Sequence, residues 1–119
     1  GAIANDVHGK NHHRAGTFAE HVRCFELLRS DGTRSLCSRT EHAELFRATV
    51  GGLGLTGVVT WAEFALHRIE NPWMTVETRR FANITEFLAL SAESEHDCDY
   101  TVAWVDCAGP RAGRGVFTL

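Results

Sequence analysis

The chain has 119 residues, 44% of them hydrophobic and 23% charged, and its twelve Lys and Arg face fifteen Asp and Glu for a net charge of -3. A single domain's worth of chain buries roughly two-thirds of its unfolded surface, so disordered and fibrous classes are excluded, and the acidic balance argues against a protein that binds nucleic acid by neutralising phosphates. No apolar run reaches the roughly 18 residues of a membrane span, and the opening residues carry no signal-peptide pattern.

Residues 1–7 (GAIANDV) are small and weakly apolar, which lets a backbone come close to a flat ligand. They lead into His8-Gly9-Lys10-Asn11-His12-His13, where three of the seven histidines crowd together. His8 and His12 have zincin spacing, but the required Glu after the first His is Gly9, and Gly and Asn11 suit a helix interior poorly. No metal is expected there; a polar loop lining a site fits better, because so many polar groups are hard to satisfy in a core.

Residues 21–28 (HVRCFELL) predict a strand with apolar residues on both faces, and Ser30-Asp31-Gly32 predicts a tight turn of the Asp-Gly two-residue kind, returning through 33–37 as a hairpin. Ser38 with Glu41 fits a capping box, with Thr40 as an alternative cap, for a helix whose stripe is Ala43, Phe46 and Val50, widened by Leu45 and Thr49. Gly51-Gly52 ends it. Residues 57–66 (GVVTWAEFAL) predict a mostly buried strand. Between the two, Gly52-Leu53-Gly54-Leu55-Thr56-Gly57 spells G-x-G-x-x-G. A dinucleotide fingerprint needs strand, glycines, then helix, whereas the order here is helix, glycines, strand, so a tight corner is expected and a Rossmann site is not.

The polar, proline-ended stretch 67–72 (HRIENP) is the best boundary inside the chain. After it, 73–81 predicts a strand. Asn83 with Glu86 caps a helix whose inner face is expected to be Ile84, Phe87, Leu88, Ser91 and Ala92. Residues 99–106 predict a further strand with Tyr100, Val102, Trp104 and Asp106 on one side, and 109–115 a flexible basic loop. The last four residues read as a strand that stops while still apolar, and the one methionine, Met74, is internal, so both ends are expected to be breaks in a longer protein. Cys24, Cys37, Cys98 and Cys107 include no C-x-x-C pair; they read as small buried hydrophobes in a reducing compartment, the cytoplasm.

The block AIA-x-D-x-HGKNHH at residues 2–13, joined to ELFRATVGGLGLTG at 44–57, resembles the FAD-dependent oxidoreductases of the vanillyl-alcohol-oxidase or PCMH type, nearest the branch of sugar-lactone oxidases and decaprenylphosphoryl-ribose oxidase. The two blocks are specific as a pair. The strand YTVAWVDC at 100–107 resembles the start of that family's substrate domain, so the likeness runs along nearly the whole chain. The resemblance implies an α+β fold in which 1–66 form the second lobe of a PCMH-type FAD-binding domain and 67–119 begin an antiparallel-sheet substrate domain. It implies that Gly1, Asn5, Asp6, Val7 and His8 contact FAD, largely through backbone atoms, and that Val59 packs near the cofactor. His8, Gly9 and Lys10 would reach the substrate, with His8 and Lys10 catalytic, and Trp104 would line the pocket. A cation at Lys10 has its own physical warrant, since it can stabilise an anionic reduced flavin or hold a substrate hydroxyl.

Asn5 departs from the smaller residue expected at its position, and the family's glycine-rich N-terminal lobe is missing from this sequence. The implied activity is oxidation of a carbinol of a sugar, sugar lactone or related polyol by hydride transfer to FAD. The partners would be a sugar-like small molecule and the rest of the parent polypeptide. The alternative from a different class is a stand-alone, non-catalytic α+β ligand-binding or interaction module whose histidine loop is mere surface; a metal hydrolase built on His8, His12 and His13 is weaker still.

Overall fold

A computed structural model describes all residues, 1–119. The chain divides into two compact units, Gly1–Ile69 and Glu70–Leu119, so that the division falls inside the polar stretch 67–72. Both are α+β with antiparallel sheets.

In the first unit, a short helix α1 (His12–Ala15) and a 3-10 turn (Phe18–His21) precede β1 (Val22–Leu28). β1 is the centre of a three-stranded sheet, flanked by β2 (Arg34–Ser38) and β3 (Val58–Phe64), with α2 (Ala43–Thr49) between those two in sequence. Val22, Phe25, Leu27, Cys37 and Phe46 form its core. The Phe25 and Phe46 rings stack at 5.1 Å between centroids, which fixes α2 on one face of the sheet. Burial pushes the Cys37 thiol up, as befits a cysteine used for packing.

Strict alternation would send Val22 and Phe25 to opposite faces. An irregularity between Val22 and Cys24 lets both point inward, and a second, at Thr60, does the same for Val59 and Ala62 in β3. The opposite face is then left with Leu36, Val58 and Trp61 exposed. The expectation that residues 57–66 are mostly buried is therefore wrong: β3 is an edge strand with one open face, a state that apolar composition alone does not distinguish from full burial.

The hairpin forms between the expected strands, but its loop has three residues. Arg29 N–H donates to the Thr33 carbonyl at 2.9 Å, Gly32 N–H donates to the Arg29 carbonyl at 3.0 Å, and Gly32 takes the left-handed φ of 84° that such a loop requires. The Asp31 carboxylate accepts the Thr33 N–H at 2.9 Å, which holds its pKa below the ordinary range. The capping expectation also shifts. Ser38 Oγ does accept the Glu41 N–H at 2.8 Å, but this closes a separate turn, and α2 begins only at Ala43 after a left-handed His42.

Glu26, on the open face of β1, accepts from the Thr60 hydroxyl at 2.6 Å and pairs with Arg34 at 2.7 Å. The hydroxyl first, and then the guanidinium, hold its carboxyl below the ordinary 4.5. With the folded value the lower one, the unfolded chain binds more protons between the two. The stability this carboxylate contributes is fully present above the ordinary value and is lost as pH falls through the lowered one. Urea unfolding of the chain and of Glu26→Gln should therefore differ at neutral pH and converge on acidification; a gap that stays constant with pH would refute this.

In the second unit, β4 (Thr78–Phe81), β5 (Val102–Val105) and β6 (Gly115–Thr118) pair in the order β4-β6-β5, and α3 (Ile84–Ser94) lies on one face. Phe87 of α3 meets Phe81 at 5.2 Å and Phe117 at 5.5 Å between ring centroids. Gly115 is required in β6 because a Cβ there would run into the Phe81 ring and the Trp104 carbonyl. The α3 cap is as expected: Asn83 Oδ1 accepts the Glu86 N–H at 2.9 Å, and Glu86 reaches back to the Ala82 N–H at 2.6 Å.

The inner face of α3 is not as expected. Phe87, Leu90, Ser91 and Ser94 turn inward, whereas Ile84, Leu88 and Ala92 are exposed. Ser94 can be buried because its hydroxyl donates to the Leu90 carbonyl at 2.9 Å. The strand predicted for 73–81 is only its last four residues, and Trp73, Met74 and Val76 stand exposed in extended chain before it. The strand predicted for 99–106 is likewise shorter. Cys107 is exposed, against the expectation of burial, because it falls just beyond β5 at the mouth of a loop. No helix is long and apolar enough to cross a membrane.

Candidate functional site

The first seven residues fold into consecutive tight turns. Asn5, Asp6 and Val7 N–H groups donate to the Gly1, Ile3 and Ala2 carbonyls at 2.9, 3.1 and 3.2 Å. Asn5 also donates its side-chain Nδ2 to the Gly1 carbonyl at 3.0 Å, so the residue larger than expected staples the turn. Asp6 adopts a left-handed φ of 45°, and its carboxylate accepts the Ala19 N–H at 2.9 Å. The negative charge is thereby turned toward the protein, leaving small side chains and neutral backbone on the outside.

The glycine corner after α2 docks on this turn. Gly51 N–H donates to the Ile3 carbonyl at 3.0 Å and Leu53 N–H to the Ala4 carbonyl at 2.8 Å. The turn brings Asp6 Cβ to within 3.6 Å of where a Cβ on Gly51 would sit, and Gly51 itself has a φ of 70°. Two motifs more than forty residues apart thus build one ledge, rimmed by exposed Leu53 and Leu55. Gly51 and Leu53 are members that reading of the sequence missed. The signal was present in the pairing of the two blocks, but not the hydrogen bonds that join them.

Val7 extends the ledge with a half-exposed side chain, its carbonyl accepting the Phe18 N–H at 2.8 Å, and His8 bridges to Thr17. The Gly9 carbonyl accepts from Nδ1 of both His8, at 3.2 Å, and His12, at 3.1 Å. A carbonyl can only accept, so both rings carry a proton on Nδ1 and leave Nε2 as the ring atom not engaged by this carbonyl. Their centroids lie 4.5 Å apart. Lys10 follows on an exposed turn with no carboxylate paired to it. No group of three or more His, Cys, Asp or Glu side chains is arranged to hold a metal.

Val59 is half-buried and packs against the core cluster of the first unit. Gly1 and residues 5–10 lie on one opening segment, and Val59 stands in the sheet of the same unit. Trp104 belongs to the second unit, where its side chain is 77% exposed on the sheet face away from α3.

On that face, Trp104, Val116 and Arg80 form one cross-strand row. Beyond it, Arg114 donates from Nε to Asp106 at 3.1 Å. The Ala108 N–H and this guanidinium hold the Asp106 carboxyl below its ordinary range. A depression of about 400 Å³ opens along the row.

No family model matches the chain. It is 40% identical over 117 residues to a protein of the mprA 5′ region of Streptomyces coelicolor, covering 97% of this chain and 31% of that protein. It is 38% identical over 122 aligned positions to the decaprenylphosphoryl-β-D-ribose oxidase of Mycolicibacterium smegmatis, covering 99% of this chain and 26% of that one. Cytokinin dehydrogenase 9 of Oryza sativa subsp. japonica is 30% identical over 94 residues, 77% of this chain and 18% of the relative. The chain spans less than a third of the length of the curated relatives it matches. An oxidase and a dehydrogenase are thus both relatives of the chain, and what it resembles is a segment of the FAD-linked oxidoreductases of the vanillyl-alcohol-oxidase or PCMH type.

Proposed function

We propose that residues 1–66 complete an FAD-binding domain and residues 67–119 begin the substrate domain of an enzyme that oxidises a carbinol of a sugar or related polyol. The observation that carries this reading is the ledge: Gly51 and Leu53 N–H groups tied to the Ile3 and Ala4 carbonyls, joining the two blocks whose pairing marks the family. The residues present suit the cofactor. A flat heteroaromatic ring and a pyrophosphate are accommodated by small side chains and neutral backbone, and the one carboxylate in the turn, Asp6, is committed to the Ala19 N–H. Gly1, Asn5, Asp6, Val7 and His8 would hold FAD, with Val59 behind them. The decaprenylphosphoryl-ribose oxidase, by its name, acts on a sugar, which supports the same substrate class here.

When bound, FAD supplies the hydride acceptor. The chain's own residues position the substrate and manage charge. Lys10, cationic and without a paired carboxylate, holds the reacting hydroxyl or the negative charge that develops as its proton leaves. His8, whose Nδ1 donates to the Gly9 carbonyl, leaves Nε2 as the ring atom for a substrate hydroxyl. Trp104, in the second unit, offers an exposed aromatic face suited to a sugar ring. The four cysteines are free, which supports a reducing, cytoplasmic setting.

Two experiments test the proposal. The 119-residue chain alone should bind FAD weakly or not at all, because the N-terminal lobe that forms the other half of the cradle in this family is not part of it; micromolar affinity with a shifted flavin spectrum would contradict this. The same chain, grafted in place of the matched segment of the M. smegmatis oxidase, should purify yellow. A colourless, folded graft would overturn the assignment of residues 1–66.

A further inference from the structure

β4 carries two adjacent arginines that alternate across the sheet. Arg79 donates to Glu77 at 2.7 Å and is neutralised there. Arg80 points to the opposite, open face, where it is exposed and has no carboxylate partner. On that same face Arg114 is already committed to Asp106. Arg80 is thus the uncompensated cation of the depression that Trp104 and Val116 floor, and it also lines the adjoining depression together with Arg111 and Glu86, whose carboxylate accepts the Ala82 N–H. An arginine held beside apolar and aromatic surface without a counter-ion is suited to bind an oxyanion through its planar fork. Its register fixes the distance: Arg80 pairs with Val116 and Val116 with Trp104, so the arginine and the indole are two strand spacings apart, about 10 Å between backbones.

We propose that Arg80 is a specificity-determining residue that recognises an oxyanion, phosphate or carboxylate, on the same sugar-like molecule whose ring rests on Trp104. This rests on the reading of Trp104 as a substrate-facing residue and adds what that reading lacks, a charged substituent on the same molecule. An uncharged sugar would occupy the indole and leave Arg80 unused.

The test uses the full 119-residue chain and follows the Trp104 indole N–H and Val116 amide signals by NMR during titration with ribose 5-phosphate, glucuronate and ribose. Ribose 5-phosphate or glucuronate should bind about tenfold more tightly than ribose; which of the two does so identifies the anion. Arg80→Gln should abolish that advantage, Arg80→Lys should keep part of it, and Arg79→Gln, on the other face, should leave it intact. If all three sugars move Trp104 equally, or the advantage survives Arg80→Gln, the assignment of Arg80 is overturned while the reading of Trp104 stands. If no sugar moves Trp104, both are overturned.

Discussion

Phe25→Ala should cost the first unit about 3–5 kcal/mol, the largest loss expected from any single truncation in it. Phe25 is fully buried at the centre of β1, between Cys37 on one neighbouring strand and Ala62 on the other, and its ring stacks on Phe46. Truncation removes the contact that seats α2, and the glycine corner that follows α2 carries the hydrogen bonds to the opening turn. The defect should therefore spread to the ledge. Urea unfolding followed by far-ultraviolet circular dichroism measures the loss; a cost under about 1 kcal/mol would mean that the sheet and helix do not meet at this ring.

In the grafted oxidase, Lys10→Met should lower kcat about a hundredfold, the usual scale for removing one well-placed electrostatic donor, with flavin content unchanged. The substitution keeps the length and apolar stem of the side chain and removes only the charge. Because Lys10 lies on an exposed turn outside the core, stability should not move. Lys10→Arg should recover part of the rate, since the charge returns with a different geometry. A kcat within about threefold of the parent would reduce Lys10 to a solvated loop residue and shift the catalytic burden to His8.

Features specified by neighbouring residues were legible in the sequence. The Asn83–Glu86 cap, the Asp31-Gly32 turn and the glycine stop after α2 each depend on a few adjacent positions and stand close to where they were expected. Features that depend on facing were less so. Leu88 looks like a core residue by spacing, but α3 meets the sheet through Phe87, and a self-satisfied Ser94 occupies the position an apolar residue would be assigned. Arg80 escaped notice for a related reason: an Arg-Arg pair in a strand gives no hint which of the two is neutralised until the Glu77 contact is seen. At the ledge, the sequence pointed to Gly1, Asn5, Asp6, Val7, His8, Gly9 and Lys10, but not to Ile3 and Ala4 as acceptors for the glycine corner, Asp6 as an internal clasp or the shared Gly9 acceptor of His8 and His12.

The extra residue at Thr60 has an evolutionary corollary. Thr60 stands between Val59, opposite Leu27, and Trp61, opposite Glu26, so deleting it would leave residues 59, 61 and 62 in regular inside, outside, inside alternation and remove the hydroxyl that donates to Glu26. The strand can therefore lose one residue at this point without turning over, whereas Val59 and Ala62 must stay apolar to meet the core. Relatives of this segment should accept a one-residue gap at position 60 more readily than a charged residue at Val59 or Ala62.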